Sequence, residues 1–167
     1  MKKILLIISC AIVFLLVLGG CGKKDEKQKI GIPNPLVTVN GSADFAAVGL
    51  TLTAPEDAEN VEYTLIDKTL AQIKFKLDGN EYNYRTAKSK EDITGIYDAY
   101  TDEEMNLIVV SGEKDTTISI KTTDKGARLA VWSWGDFAYS LYTDQKASDD
   151  TISDLAQNLA ETDYPII

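Results

Sequence analysis

The stretch LAQIKFKLDGNEYNYRTA, Leu70 to Ala87, decides the fold. Ala71, Ile73, Phe75 and Leu77 alternate with Gln72, Lys74 and Lys76. Successive strand side chains point to opposite faces, so this period of two predicts a half-buried strand, apolar on one side and wet on the other. Asp78-Gly79-Asn80 is a turn signal, since Gly and Asp tolerate the positive φ of tight hairpin turns, and Glu81 to Ala87 returns as the partner strand. The predicted centre of the domain is an antiparallel hairpin.

On the C-terminal side, strands are expected at Met105 to Val110, Thr116 to Thr122, Ala127 to Trp134 and Phe137 to Tyr142. Turns at Gly112, Asp124-Lys125-Gly126 and Gly135-Asp136 separate them, which reads as an antiparallel meander. Ser148 or Asp149 can cap a final helix, where Ile152, Leu155, Ala156 and Leu159 make an apolar stripe at i, i+3, i+4 and i+7. On the N-terminal side, Val61 to Asp67 and Leu50 to Thr53 read as strands. Ser42 is placed to cap a short helix over Ala43 to Val48, with Gly49 as its left-handed terminator. Residues 88 to 104 keep no strand period and read as a charged excursion broken at Gly95, with a helical turn near Ile96 to Tyr100. The expected fold class is α+β: a single curved antiparallel sheet of about seven strands, a short N-terminal helix and an amphipathic C-terminal helix packed on one face. The opposite, open face is the natural place to seek binding.

The chain starts outside this fold. Met1 to Lys3 is positive, Ile4 to Leu18 is almost unbroken in its apolar character, and Gly19 and Gly20 precede Cys21. This is the three-part layout of a secretory signal, with an apolar run short of the roughly 20 residues of a membrane span. Leu18-Gly19-Gly20-Cys21 also resembles the lipobox of bacterial lipoproteins, which implies cleavage before Cys21 and a diacylglycerol thioether on its sulfur. The expected organisation is a signal peptide over 1–20, a lipidated flexible tether over 21–35, and one domain over 36–167. Cys10 leaves with the signal, so no intramolecular disulfide is available. The expected location is the extracytoplasmic face of the cell membrane, where two acyl chains hold the protein without a span.

The formal charge of −9 and the presence of only two arginines, Arg85 and Arg128, argue against nucleic acid, whose binding is driven by Lys and Arg. Lys23, Lys24, Lys27 and Lys29 cluster beside the anchor, interrupted by Asp25 and Glu26, and read as a solvated tether. Histidine is absent. That excludes Ser-His-Asp and Cys-His nucleophile systems, and with Cys21 acylated it leaves no Cys/His zinc site. No phosphate-binding glycine loop occurs. Ser111-Gly112-Glu113-Lys114 fits S-x-x-K, but it falls at a strand-to-turn junction and lacks the S-D-N and K-T-G companions of penicillin-interacting enzymes. The acidic clusters Asp98, Asp102, Glu103, Glu104 and Asp149, Asp150, Asp154 lack calcium-loop spacing and read as a solvated loop and a helix start. No catalytic residue, metal or cofactor is expected.

Two features are left to weigh. Trp132 and Trp134 share a strand face, and so do Tyr82 and Tyr84. Such pairs are either a flat platform for sugars or peptides, together with Tyr97, or ordinary sheet core, the favoured reading. Arg85 leaves its strand just before the excursion, where Glu91 and Asp92 can return to pair with it while Ile93 and Tyr97 pack inward, a clamp for a loose loop.

The segment Arg85-Thr86-Ala87-Lys88-Ser89-Lys90-Glu91-Asp92-Ile93-Thr94-Gly95-Ile96-Tyr97 resembles the "R-x-A-x-x-x-E-D-I-S-G-x-Y" stretch of a family of uncharacterised Gram-positive lipoproteins. Leu129 to Leu141 is similar to that family's late strands, and Ile32-Pro33-Asn34-Pro35 is typical of its start. Thr94 stands where the family usually has Ser, and Ile96 where it often has Asp. The resemblance implies an extracytoplasmic domain related to those on anti-sigma-type membrane proteins, and implies no catalytic residue. The functional expectation is a non-enzymatic binding or sensing domain with an envelope-protein or cell-wall partner. The alternatives are a glycan-acting enzyme using carboxylates and a structural envelope lipoprotein without a ligand.

Overall fold

The computed structural model describes residues 35–111, 114–145 and 147–164. The expected signal peptide, Cys21 and the tether up to residue 34 lie outside the described residues. The chain from Asn34 onward forms its own compact unit. It runs β1 (Leu36–Val39), α1 (Ser42–Ala46), β2 (Glu59–Ile66), β3 (Leu70–Leu77), β4 (Asn80–Lys88), β5 (Tyr100–Ser111), β6 (Lys114–Thr123), β7 (Arg128–Trp134), β8 (Phe137–Thr143) and α2 (Asp149–Thr162). The strands form one sheet in the order β1-β2-β3-β4-β8-β7-β6-β5, every neighbouring pair antiparallel. The fold is α+β, with eight strands among the described residues where about seven were expected.

The β3–β4 hairpin forms as its pattern predicts. Asp78 and Gly79, at φ 51° and 80°, make the two-residue turn, and the ladder runs unbroken from Leu77↔Asn80 to Leu70↔Ala87. That register places Tyr84 opposite Ile73 and Tyr82 opposite Phe75, so all four share the apolar face. Through β4–β8 and β8–β7 the same face takes Tyr139, Leu141, Ala130, Trp132 and Trp134. Tyr82, Tyr84, Trp132 and Trp134 are all buried, so they form no exposed platform. Their rings pack on each other: Trp132 lies nearly parallel to Tyr139 at 5.5 Å, and Tyr84 stacks at 5.8 Å from Trp132. The reason is parity, because once Ile73 faces the core every aromatic in register with it must follow.

Three expectations at the periphery change. Leu36–Val39 pairs with β2 as an edge strand that was not foreseen. Leu50 to Thr53 joins no strand; Leu50 and Leu52 are instead buried in the core that covers the apolar face. The helix expected over 43–48 is a single helical turn, with Gly41 rather than Ser42 at the capping position and no side-chain cap; Asp44 Oδ2 accepts from Asn40 N at 2.8 Å. Nor is there a helical turn near 96–100. Tyr100 already belongs to β5, whose acidic start hid the strand period.

α2 closes the apolar face. Ser148 caps it, its Oγ accepting from Thr151 N at 3.1 Å, while Asp149 pairs with Arg128 at 2.8 Å. Ile152, Leu155, Ala156, Leu159 and Ala160 are buried, and Trp134 Nε1 donates to Ala160 O at 3.0 Å. The helix ends at a buried carboxylate. Asp163 Oδ2 accepts from Tyr84 Oη at 2.8 Å and from Thr53 N at 3.1 Å, and Tyr139 Oη donates to the Asp163 carbonyl at 3.2 Å. One residue thereby ties α2 to β4, β8 and the 50–53 segment.

Burial raises the Asp163 pKa above the usual carboxyl range, and the bonds from Tyr84 and Thr53 bring it only partly back. Folding therefore favours the protonated form. The stability Asp163 contributes is greatest at acid pH and is lost as pH rises from the ordinary carboxyl range through the raised value. Thermal melts of wild type against Asp163→Asn should show the variant gaining on wild type as pH rises above the ordinary carboxyl value of about 4; a constant offset would contradict the desolvation. Tyr84→Phe should cost about 2 kcal/mol in denaturant melts, because it removes a buried donor to that carboxyl.

Candidate functional site

The strand order forces the chain to travel from β4, in the middle of the sheet, to β5 at its far edge. Those strands are four spacings apart, about 19 Å. Residues 89–99 make this crossing on the face opposite α2, above side chains from β6, β7 and β8. A chain segment laid over a sheet brings carbonyls that need partners. Arg85, on this face of β4, supplies them.

Arg85 Nη1 donates to Ile93 O at 3.2 Å and to Thr94 O at 2.6 Å, while Nε donates to Gln72 Oε1 at 2.9 Å. Burial lowers the Arg85 pKa, opposed by nearby Asp92, but a guanidinium stays charged throughout the physiological range. The clamp exists, with partners other than those expected. Asp92 uses Oδ1 to accept from Thr94 N at 2.7 Å, closing an Asx turn, and Glu91 is exposed, its N–H donating to Ser89 Oγ at 2.9 Å. The Asp92 carboxylate and the Glu91 N–H shape the loop locally and leave the guanidinium to Gln72 and the two backbone carbonyls. Gly95 completes the fit: its φ is +63°, and a Cβ there would stand 2.5 Å from Arg85 Nη1.

The far end of the crossing is fixed as well. Ile96 N donates to Thr94 Oγ1 at 3.2 Å, Asp98 pairs with Lys125, and Asp124 N donates to Ala99 O at 2.9 Å. Thr94 is buried and Ile93 half-buried, yet Tyr97 does not pack inward: it is 98% exposed. With both flanks bonded, the inward positions belong to 93 and 94 and the ring is held out in water.

Beside the crossing lies an open cleft of about 320 Å³. Leu129, Val131 and Ala138 form part of its lining, together with Lys90, Asp92, Tyr100 and Lys121. Lys121 Nζ sits 5.8 Å from the Tyr100 ring centroid, and burial raises the Tyr100 pKa with Asp92 adding to the shift. A second open cleft of about 410 Å³ lies over β2–β4 and β8, with Glu62, Lys74, Asn83 and Tyr142 among its walls.

Of the carboxylates weighed for glycan chemistry, Asp98 is engaged by Lys125 and Glu104 accepts from Ser119 Oγ, so these two serve separate partners. Among the described residues no group of three or more His, Cys, Asp or Glu could hold a metal ion. Ser111 ends β5 and Lys114 begins β6, so the S-x-x-K tetrad spans a hairpin and opens no helix.

Gln72 was missed as a partner of Arg85, although a signal for it existed. Once the turn is fixed at 78–79, the hairpin register sets Gln72 directly opposite Arg85 on the wet face.

Arg85→Met should leave the Ile93 and Thr94 carbonyls short of donors. Amide hydrogen exchange of residues 93–96 should speed up by about tenfold or more, a loss of at least about 1.4 kcal/mol, while the β3–β4 ladder stays protected. Gly95→Ala should do the same through its clash and left-handed strain; unchanged exchange in either variant would contradict the clamp. Comparison with family models, curated proteins and solved structures finds no match for this chain.

Proposed function

We propose that this protein is a lipid-anchored, extracytoplasmic binding domain without enzymatic activity, which recognises a protein partner at the cell envelope through the 89–99 crossing. The observation that carries this reading is Tyr97, an aromatic side chain 98% exposed on a loop whose two flanks are bonded to the sheet and its turns. Exposed tyrosines anchor many protein interfaces, because the ring offers large contact area for few rotatable bonds. An anchor already fixed in place costs less entropy to bind.

Placement at the membrane rests on the sequence around Cys21. The apolar run before it, Gly19-Gly20-Cys21 and the resemblance to Gram-positive lipoproteins all favour a diacylglyceryl anchor, with the domain held close to the surface by a tether of about 14 residues. The dispersal of Asp98 and Glu104 to separate partners favours binding over glycan hydrolysis, which needs two carboxylates facing one cleft.

Affinity capture from envelope extracts, using the full chain in mild detergent, should retain a reproducible protein partner. Tyr97→Ala should weaken that partner by about tenfold or more without lowering the melting temperature; equal retention by the variant, or hydrolysis of purified cell wall by the wild type, would contradict the proposal. Cys21→Ser should move the protein from the membrane to the soluble fraction, and the wild type should carry the mass of a diacylglyceryl group on Cys21. A variant that stays membrane-bound would show that the apolar segment itself is the anchor.

A further inference from the structure

Residues 22–35 separate Cys21 from Leu36, where β1 begins at one edge of the sheet. The opposite edge, β5, is seven strand spacings away, roughly 34 Å. At the β1 edge apolar side chains meet water: Leu36 is 51% exposed, Val37 46% and Val48 38%. Val37 and Val39 stand opposite Leu65 and Tyr63, on the apolar face of the sheet, but α1 is too short to cover them. Val37, Val39, Ala47, Val48 and Leu65 instead line an open groove of about 440 Å³. Its charged lining is one acid and one amine, Asp44 and Lys68, in a chain whose formal charge is −9.

We infer that this groove, with Leu36 beside it, rests on the lipid surface at the boundary of headgroups and acyl chains, so that the anchored domain stands with β1 toward the membrane and β5 away from it. The inference rests on the diacylglyceryl anchor proposed above. The tether selects the occupant. A coil of 14 residues has a root-mean-square reach of roughly 20 Å, and this one joins the domain at Leu36 itself. The groove is thereby held near lipid at an effective concentration on the order of millimolar. Three part-exposed apolar side chains are too small an area to hold a free protein. They are enough for a surface that the anchor already keeps close. Ile108 and Val110 on β5 are more exposed, at 72% and 66%, but they lie at the wrong edge. Turning them to the bilayer would lift β1 beyond the reach of the coil. Balanced charge also spares the groove the repulsion that an anionic leaflet exerts on so acidic a chain.

The test uses the full chain, expressed with its signal and reconstituted in vesicles of phosphatidylethanolamine and phosphatidylglycerol. Ala47→Cys places a thiol in the groove for a fluorescent label, Cys21 being blocked by its lipid, and the same label on Tyr97→Cys and Val110→Cys serves as the comparison. Nitroxide-bearing lipid should quench the label at 47 at least about twofold more than the label at either other site, since an interfacial contact sinks only about 5–10 Å into the boundary. The triple variant Leu36→Ser/Val37→Ser/Val48→Ser, all at exposed positions, should lose that excess quenching while it stays in the membrane fraction and keeps a cooperative melt. Equal quenching at the three sites, stronger quenching at 110, or quenching at 47 that survives the triple change would overturn the inference and leave the anchor standing. A detergent-solubilised dimer that the triple change dissociates would also overturn it, by giving the groove to a second copy. Absence of the diacylglyceryl mass on Cys21 would overturn the anchor, and this inference with it.

Discussion

The Arg85 guanidinium lies beneath a chain crossing that the strand order makes unavoidable. β4 sits in the middle of the sheet and β5 at its edge, so residues 89–99 must pass over the strands that later fill the gap. A crossing without bonds to the sheet would leave carbonyls over partly apolar ground. Arg85 answers this with two donors to Ile93 and Thr94, and Gln72 from the neighbouring strand steadies its Nε. The desolvation that lowers the Arg85 pKa is offset by charge-assisted bonds, which are about twice as strong as neutral ones. Gly95 is the matching constraint on the loop side, because only a residue without Cβ approaches that closely.

The two faces of the sheet then take different roles. On one, α2, α1 and the 50–53 segment cover a layer of stacked aromatics, and the Asp163 carboxylate joins them at a single buried point. On the other, the crossing runs beside a cleft lined in part by Leu129 and Val131 and leaves Tyr97 in water. Rigidity on the first face is what allows a loop on the second to be held in one conformation.

Much of this was legible from residue pattern. The Leu70–Ala87 hairpin, the meander, and the Ile152-Leu155-Ala156-Leu159 stripe each carry a period that fits one backbone geometry. Spacing alone showed that Trp132 and Trp134 share a face, and Tyr82 and Tyr84 likewise, but did not say which face. The hairpin register would have, by setting Tyr84 against Ile73 and Phe75 against Tyr82. Leu50-Thr51-Leu52-Thr53 alternates like a strand because its leucines are buried, yet alternation does not require a ladder. Leu36–Val39 escaped notice because four exposed or half-exposed edge residues leave almost no pattern. Arg85 was identifiable as a clamp by its position before the excursion. Its carbonyl partners were not, because backbone carbonyls carry no sequence signal, and the Asp92 carboxylate is used within the loop. The same cause hid the outward setting of Tyr97.

The claim at the centre of this account is that the 89–99 crossing is as rigid as the sheet beneath it, although its tip is fully solvated. Backbone 15N relaxation of the full chain in micelles measures this directly. Order parameters at Thr94, Gly95, Ile96 and Tyr97 should be near the rigid-backbone value of about 0.85, matching β3 and β4. Values below about 0.6 at these residues in the wild type would mean a flexible loop and would contradict the clamp.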